Sequence, residues 1–487
     1  MNASLPLNVG QQHSFRQRLW RWHFFAGLII CPFAILLAFT GAIYLFKPQI
    51  EHYQERQINA LESYVGATTA SQKQTLSKSL NALLIKYPNA QFKRLRLNKL
   101  GDVTVEYELR HGDGQLITHW VSVNTGEVLA SQPKDKQFLQ IVKKLHSELL
   151  LGNKGSYVVE VAASWLIILI ISGVYLWLSK PSHRTVTNQS KYLRVKKLLI
   201  PQLRTKKVGV KWRSLHGVVG LWLAFPILIL LFTGLPWTQL WGSGFDAAKT
   251  LLGWNGPGQE WKVTLQSGLP SNKSSDSQAV AVGQFDGALW SISDDEKTTA
   301  STLPSSRYTS AQLVSLDIIA NKPEVLALTH PVIVMPPKTN KGVWTVRAMP
   351  SKRSERVTLH YDQYTGEDIM RIDFQDHHPV QRFISQGISL HEGALFGGLN
   401  QALGVLTAFA VMGISLVGLY MWWLRRPAGS LAAPTKASYP PPKGLLILVF
   451  FLGVFLPAAG ISFVFIVVLE YLWALLRRAS TDKPVEA

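Results

Sequence analysis

The sequence predicts a polytopic α-helical membrane protein. Its four-span core consists of two parallel repeats, each with an inserted α+β domain, and a C-terminal extension of one or two helices follows. The prediction rests on composition, on long apolar stretches and on internal similarity. Of the 487 residues, 47% are hydrophobic and only 16% are charged, against about 25% charged in an ordinary soluble domain. This composition excludes a disordered chain, and the single Cys31 excludes an intramolecular disulfide or a cysteine-based metal site.

Four apolar stretches are long enough to cross about 30 Å of hydrocarbon. They are Phe24–Phe46, Tyr157–Leu178, Val218–Trp237 and Leu399–Leu424. A fifth stretch, Gly444–Leu476, is too long for one upright helix and short for two. Because Pro457 and Gly460 near its middle favour a tight turn, it crosses the membrane once or twice. The first stretch is longer than a usual signal-peptide core, so we expect a retained anchor.

Basic residues orient these spans. The 180–213 link holds eleven Lys and Arg and no acidic residue, and the 425–443 link holds four basic residues and no acidic one. Both links and the N-terminus, with Arg16, Arg18 and Arg21, are therefore predicted to be cytoplasmic. The net charge of +20 reflects this topology and contact with anionic lipid in the bilayer, and no nucleic-acid partner is expected.

The predicted segments follow from these positions. In chain order they are a cytoplasmic N-terminus with span 1 (1–46), a first external domain (47–156), span 2 (157–179), a basic linker (180–213), span 3 (214–237), a second external domain (238–396), span 4 (397–424), a linker (425–443) and the C-terminal helix or hairpin (444–478).

The chain resembles itself at fixed offsets. A shift of 193 residues places His23 on His216, and a shift of 245 places His146 on His391. The Thr125-Gly-Glu and Thr365-Gly-Glu turns match at a shift of 240, which implies about 47 extra residues near 254–305. Both copies run in the same direction, so their pseudo-axis is expected along the membrane normal.

In the external domains, a helical segment is followed by segments with the residue pattern of β-strands, as is typical of small α+β folds. In the first copy, Leu80–Tyr87 is predicted to be helical, and Phe92–Leu97, Val103–Leu109 and Leu116–Val123 are predicted strands. Turns are expected at the Thr-Gly pairs. No catalytic triad is visible in these domains, which suit binding or scaffolding.

Four of the thirteen histidines coincide under the shifts and flank the spans. His23 and His216 lie at the cytoplasmic ends of spans 1 and 3, and His146 and His391 lie just before spans 2 and 4. Same-side partners come from opposite repeats, so the pseudo-axis is expected to bring each pair face to face. Two imidazoles in a helical bundle are typical axial ligands of a b-type haem, which predicts two haem sites.

Other residues suit such sites. Gly27 and Gly220 lie one helical turn after His23 and His216, where a macrocycle needs small residues. Porphyrin propionates favour cations. The candidate cations are Arg21 and Arg213 at the cytoplasmic site, and Lys143, Lys144 and Arg382 at the external one.

Other interpretations stay open at this point. A single histidine at a span end is commonly interfacial, and ancestry alone also preserves residues in a repeat. A metal ion held by two histidines would lack repeat-equivalent carboxylates, since Glu148 and Glu392 do not coincide. Snorkelling explains Glu160, which lies near the external end of span 2.

Several motifs occur twice in the same order. They are His-x3-Gly, Leu-His-x3-Leu-[Leu/Phe]-Gly, Gly-x-Tyr-x-Trp and Thr-Gly-Glu. Together, over about residues 15–427, they resemble the PepSY-associated transmembrane proteins, the iron-regulated inner-membrane proteins that include bacterial ferrisiderophore reductases.

The resemblance implies a dihaem electron conduit in a bacterial inner membrane, with PepSY domains in the periplasm. His23, His146, His216 and His391 would ligate two b haems, and electrons would reduce a ferric siderophore and release Fe(II). No G-x-G-x-x-G follows a predicted strand, so the donor is expected to be a quinol or a cytoplasmic flavin reductase. The alternatives are a siderophore or metal transporter, which needs broken helices or polar midplane residues, and a non-catalytic sensor that binds a periplasmic partner.

Overall fold

The structure is a computed structural model, and it describes most of the chain. The described residues are 9–66, 75–99, 103–179, 195–254, 265, 267, 308–339, 341–427, 429–431, 433–435 and 443–481. By its internal contacts the chain forms two units, which we name the helical unit and the sheet unit. The helical unit comprises Met1–Ala42, Lys144–Phe245 and Leu403–Ala487, and the sheet unit comprises Ile43–Lys143 and Asp246–Ala402.

Four long helices match the predicted spans. They are α1 (Val9–Tyr44), α5 (Asn153–Leu178), α6 (Val208–Gly234) and α11 (Gly398–Arg425). Each contains a segment that is long and apolar enough to cross a membrane, namely Phe15–Leu45, Asn153–Leu178, Val208–Trp237 and Gly398–Arg425. The prediction of a polytopic α-helical membrane protein is therefore confirmed.

Shorter helices and eight strands complete the fold. The helices are α2 (Lys47–Gly66), α3 (Leu76–Lys86), α4 (Phe138–Glu148), α7 (Gln239–Leu251), α8 (Ser310–Ala320), α9 (Pro323–Leu326), α10 (Pro379–His391), α12 (Lys443–Phe455) and α13 (Pro457–Thr481). The strands are β1 (Gln91–Leu97), β2 (Thr104–Arg110), β3 (Leu116–Ser122), β4 (Val128–Pro133), β5 (Val332–Met335), β6 (Val343–Ala348), β7 (Val357–Asp362) and β8 (Asp368–Asp373).

Small and aliphatic side chains hold the spanning helices together. Ala34, Ile227 and Val411 form one buried cluster that joins α1, α6 and α11, and Ile30 packs on Ala162 and Leu169 of α5. Many large apolar side chains point outward instead, as expected where lipid is the solvent. Packing, and not exclusion of water, therefore selects these contacts.

Glu160 corrects a prediction. Its carboxylate is fully buried, and its two oxygens accept the backbone N–H groups of Leu240 at 2.8 Å and Trp241 at 2.9 Å. These donors belong to the first turn of α7, where unsatisfied N–H groups and the helix dipole favour an anion. Glu160 therefore caps a neighbouring helix and does not snorkel to the surface.

The C-terminal stretch forms two helices, α12 and α13, which break at Leu456. The helices approach closely at Gly453 and Gly460, since a Cβ added to Gly460 would lie 2.6 Å from the Gly453 carbonyl oxygen. Trp165 of α5 donates to Ser462 Oγ at 2.8 Å, which fixes the hairpin to the spanning helices. Of the two forms expected for this stretch, the hairpin is the one that forms.

The sheet unit contains one antiparallel sheet in the order β4-β3-β2-β1-β5-β6-β7-β8. The first four strands come from the first inserted segment and the last four from the second. They join where Leu95 of β1 pairs with Val334 of β5. The sequence suggested two separate domains, but the segments share one sheet and one hydrophobic core, which includes Leu80, Leu316 and Trp344.

Matching local devices shape both halves. Thr75 caps α3 by accepting from Lys78 N, and Thr309 caps α8 with a reciprocal bond to Gln312. The expected Thr-Gly turns link β3 to β4 and β7 to β8, and Gly126 and Gly366 adopt φ of +76° and +72° there, a region that favours glycine.

The first external domain contains the four elements that the sequence predicts. The predicted helix and three strands of the first external domain correspond to α3, β1, β2 and β3. α2 was not predicted. The insertion near 254–305 and most of the basic linker lie outside the described residues.

Candidate functional site: histidines on the spanning helices

Three of the four singled-out histidines lie in the helical unit. His23 is on α1, His216 is on α6, and His146 is in the last turn of α4. His391 is the last residue of α10 and belongs to the sheet unit.

His23 packs against the C-terminal half of α5. A Cβ added to Gly173 would lie 3.0 Å from His23 Cε1, so only glycine leaves room for the ring. His23 Nδ1 lies 2.9 Å from Ser172 Oγ, and the Ser172 hydroxyl donates to the Leu169 carbonyl at 3.1 Å. The His23 ring therefore packs on Gly173 and makes a hydrogen bond through Nδ1.

His216 has the corresponding neighbours on α11. A Cβ added to Gly418 would lie 3.5 Å from His216 Cε1, and His216 Nδ1 lies 3.2 Å from the Ile414 carbonyl oxygen. Gly418 and Ile414 lie 245 residues after Gly173 and Leu169. The contacts of the two histidines are therefore related by the offset that relates the sequence motifs.

These bonds favour one tautomer of each ring. A carbonyl oxygen only accepts, so His216 donates from Nδ1. The Leu169 carbonyl can take the Ser172 hydrogen, which leaves Ser172 Oγ able to accept from His23 Nδ1. With the proton on Nδ1, Nε2 carries the lone pair, which is the form that ligates a metal.

His23 and His216 are close enough to interact electrostatically. We call them the His23–His216 pair. The grouping agrees with the expectation that same-side histidines from opposite repeats come together. His23 lies on α1 and His216 on α6, and the groups at hydrogen-bond distance from their Nδ1 atoms lie on α5 and α11.

His146 repeats the arrangement near the other end of α1. A Cβ added to Gly41 would lie 3.2 Å from His146 Cε1, and His146 Nδ1 lies 3.0 Å from Thr40 Oγ1. Thr40 Oγ1 also lies 2.8 and 3.1 Å from the Leu36 and Leu37 carbonyls, which can take its one hydrogen. Thr40 can then accept from Nδ1 and leave the lone pair on His146 Nε2.

Thr233 makes the same backbone bonds as Thr40. It donates to the Ile229 and Leu230 carbonyls at 2.8 and 3.1 Å, and each partner lies 193 residues after its counterpart. The Thr40-Gly41 and Thr233-Gly234 pairs therefore make the same hydrogen bonds to the backbone of their own helices.

His391 is followed by Glu392, whose carboxylate pairs with Arg353 at 3.3 Å. The Leu390 carbonyl accepts from the Asn400 side chain at 3.1 Å, which ties the end of α10 to the start of α11. The residue is positioned by backbone bonds and by a charged neighbour.

The predicted glycines and arginines all contact or interact with other residues of the chain. A Cβ added to Gly27 would lie 3.9 Å from Leu169 Cδ2, and one added to Gly220 would lie 3.1 Å from Ile414 Cδ1, so both face the neighbouring spanning helix. Arg21 donates to the Pro434 carbonyl, and Arg213 interacts with Arg425. Their role towards a cofactor stays a prediction.

Sequence reasoning missed the histidine–glycine contacts between helices. Gly173 and Gly418 were visible in the repeated Gly-x-Tyr-x-Trp motif, but the sequence did not show which helices are neighbours. Ser172 was also missed, since its counterpart at 417 is Val417 and no repeated signal marks it.

Four helices that are long and apolar enough to span a membrane, joined in one chain to an antiparallel sheet unit, define a polytopic membrane protein. Within this class the chain belongs to the family described as the PepSY-associated TM region, whose model matches residues 20–425. No curated protein matches the chain.

Proposed function

We propose that the protein is a dihaem b-type oxidoreductase of a bacterial inner membrane. It passes electrons from a quinol or a cytoplasmic flavin reductase to a ferric siderophore in the periplasm and so releases Fe(II). The four spans form two parallel repeats, and each repeat contributes half of the periplasmic sheet.

The matching Nδ1 contacts of the His23–His216 pair are the observation that supports this proposal. His23 Nδ1 lies at hydrogen-bond distance from Ser172 Oγ and His216 Nδ1 from the Ile414 carbonyl, so each ring can keep the lone pair on Nε2. Neutral imidazoles with Nε2 available are what a low-spin haem iron requires on its two faces. The glycines under the rings hold each imidazole in one orientation, as ligand pre-organisation requires.

The repeated contacts support two such sites. His146 has the same Thr-and-Gly support that the shift places at Thr233 and Gly234. On sequence grounds His146 and His391 are the ligands of the second haem. Arg21 and Arg213 are the proposed propionate partners of the first, because Arg binds carboxylates in bidentate geometry.

Haem, when bound, supplies an iron that accepts and releases one electron at a time. The protein's own residues then bind, orient and insulate it: the histidines fix the iron, and the apolar helices give a low dielectric that shapes its potential. One electron converts one Fe(III) chelate to Fe(II), and the donor supplies it. Fe(II) binds hard-oxygen chelators less strongly, so the iron is released.

The test is anaerobic reoxidation. The purified, haem-loaded protein is reduced with dithionite, freed of excess reductant and mixed with a ferric trihydroxamate while an Fe(II) trap is present. We expect the reduced α band to decay and one Fe(II) to be trapped for each electron lost. A reduced protein that holds haem but is not reoxidised by the chelate would overturn the reductase proposal and favour transport or sensing.

A further inference from the structure

The first half of the sheet, β1 to β4, has a cleft between it and α2. The cleft has a volume of about 500 Å³, which is in the range of sites for small organic ligands. Residues of α2, of the four strands and of the first turn of α4 line it, and all of them belong to the sheet unit. We call it the α2 cleft.

Hydrogen bonds attach the C-terminal half of α2 to the sheet. Glu62, which is 4% exposed, accepts from Ser122 Oγ at 2.8 Å, and Asn59 accepts from Thr104 Oγ1 at 2.7 Å. The part of the helix that precedes these contacts, 51–58, contributes the lining. The cleft is therefore built from a helix and strands that are joined to one another, which is the kind of preformed site that binds small molecules.

Charged side chains line the α2 cleft in pairs. Arg94 donates from Nε to Glu108 at 2.9 Å, and Arg96 meets Glu51 at 3.1 Å and Glu106 at 3.8 Å. Each guanidinium group has five N–H donors. Donors therefore remain for a ligand after these ion pairs have formed.

The charges around the α2 cleft balance. Four carboxylates and two guanidinium groups line it, and the fourth carboxylate is that of Glu55. Lys47 and Lys134 pair with two of these carboxylates from outside the lining, at 3.9 Å from Glu51 and 3.2 Å from Glu108. Four cationic groups thus face four carboxylates. Because complementary charge selects the ligand, the balance favours an uncharged ligand over an anion.

The rest of the lining is aromatic or carries amides. Trp120 of β3 and Tyr53 of α2 contribute aromatic rings. Five glutamines contribute amides, namely Gln54, Gln57, Gln132, Gln137 and Gln140. An amide both donates and accepts hydrogen bonds, so the lining matches a ligand whose own groups do the same.

The fold does not require acidic residues at these positions. Opposite Thr118, β2 has Glu108, whereas opposite Thr358, the residue of β7 that the repeat places on Thr118, β6 has Arg347. The carboxylate that pairs with Arg94 is therefore a feature of the first half alone. Its presence there is explained by the lining of the α2 cleft and not by sheet formation.

We propose that the α2 cleft binds an uncharged ligand that is rich in amide or hydroxamate groups. The identity of the ligand rests on the proposed function, on which it is a neutral trihydroxamate, either loaded with Fe(III) before reduction or free of iron after it. The helix whose first turn lines the cleft, α4, carries His146 in its last turn. One continuous helix therefore links the cleft to a proposed haem ligand.

The test measures binding of the Ga(III) complex of a neutral trihydroxamate to the full chain in detergent, by isothermal titration calorimetry. Ga(III) is not reduced, so binding is measured apart from electron transfer. Tyr53→Ala and Gln140→Ala each remove a lining side chain and should weaken the affinity about fivefold, as the loss of one hydrogen bond does. The matched control is Gln115→Ala, an exposed glutamine outside the cleft, which should bind as the wild type does.

Thermal unfolding separates lost binding from lost folding. Tyr53 is 56% exposed, so Tyr53→Ala should unfold at the wild-type temperature while it binds more weakly. If both variants bind as tightly as the wild type, or if the wild-type protein does not bind the neutral complex, the inference is wrong.

Two further probes define the ligand chemistry. The Ga(III) complex of a tris-catecholate, a triply charged anion, should bind about tenfold more weakly than the neutral complex, and equal affinities would contradict the charge argument. The iron-free trihydroxamate identifies the source. Equal affinity would show that the cleft takes the spent chelator as well, and weaker binding would show that the metal-loaded form is the ligand; both results support the site.

Failure of the site and failure of the proposed function give different results. A haem-loaded protein that ferric trihydroxamate does not reoxidise, but that loses Ga(III)-complex binding in Tyr53→Ala and Gln140→Ala, would overturn the reductase proposal and leave the binding site. A protein that reduces the chelate, but whose two variants bind the Ga(III) complex normally, would leave the reductase proposal and overturn the α2 cleft.

Discussion

The two halves of the sheet use the same strand positions for different charges. In the β2–β3 half, Glu108 is neutralised by Lys134 and Arg94, and Arg96 meets Glu51 at 3.1 Å and Glu106 at 3.8 Å. In the β6–β7 half, Arg347 shares its surroundings with two further arginines. The first half holds a network of ion pairs, whereas in the second half three guanidinium groups lie close to one another.

The helical unit behaves in the opposite way. There the positions related by the sequence shift keep the same residue types and contacts, as His23 on Gly173 and His216 on Gly418 show. The spanning helices therefore keep the same histidine–glycine contact at both shifted positions. The two halves of the sheet instead carry different charges at matching strand positions.

The largest expected effect tests the duplicated part. His23→Ala and His216→Ala should each remove the same haem, so each variant and the double variant should retain about one haem of two. Loss of either axial ligand opens the low-spin site. A pyridine haemochrome count measures this, with His52→Ala, whose side chain is 68% exposed, as the control. If the double variant loses two haems while each single variant loses one, the two histidines do not share an iron.

Replacing the glycine next to each histidine ring with alanine distinguishes the two copies of this contact. Gly173→Ala would place its Cβ 3.0 Å from His23 Cε1, whereas Gly418→Ala would place it 3.5 Å from His216 Cε1. Overpacking costs about 1–3 kcal/mol, so Gly173→Ala should weaken haem retention at the pair about tenfold, and Gly418→Ala should change it little. Haem transfer to apomyoglobin measures the dissociation rate.

The matched control is Gly413→Ala on α11, an exposed position where the added Cβ would meet no described heavy atom within 4 Å. Equal effects from Gly173→Ala and Gly418→Ala would show that the ring clearance does not control the site.

In the sheet, Arg94→Gln should destabilise the haem-free protein more than Arg371→Gln. Arg94 donates from Nε to the buried Glu108 at 2.9 Å, and loss of a charged hydrogen bond costs about 2 kcal/mol. Arg371 pairs with Asp373 in the other half at an exposed position, where an ion pair contributes about 0–1 kcal/mol. Thermal unfolding of the full chain in detergent reports both, and a comparable loss in the two variants would contradict the difference.

The smallest effect is a pH dependence of stability. Burial, with His111 and Lys86 nearby, lowers the pKa of His119 to about 4, and burial, with Arg347 nearby, lowers the pKa of His360 to about 4. Between pH 6.5 and 4 the unfolded chain therefore binds more protons than the folded chain. Stability should fall as the pH is lowered through this window.

The measurement is the unfolding midpoint between pH 7 and pH 4, with His119→Gln as the comparison. His119 Nδ1 lies 2.7 Å from Ser131 Oγ, and glutamine keeps a polar group there. The variant should lose part of the slope, and an unchanged slope would show that His119 does not titrate in this window.

The sequence was sufficient for the spans and for the histidines. Apolar length and periodicity are local signals, so the four spanning helices and the first three strands could be predicted. The duplicated motifs also indicated His23, His146, His216 and His391. These features depend on residues close together in the chain or on simple offsets.

Long-range pairing could not be predicted. The β1–β5 contact joins residues more than 200 positions apart, and nothing local in either strand specifies its partner. The approach of Arg347, Arg353 and Arg356 could not be predicted because these residues lie on a strand and a turn, within a loop that has 16 acidic and 14 basic residues. Glu160 was misassigned because the backbone N–H groups it accepts from become visible only in the fold.

On the proposed function, the four histidines hold two b haems. The decisive experiment is a dithionite-reduced minus oxidised spectrum of the purified wild-type protein, with a pyridine haemochrome count. We expect a low-spin α band and about two b haems per chain. A folded preparation, made with haem supplied, that contains no haem would overturn the proposed function.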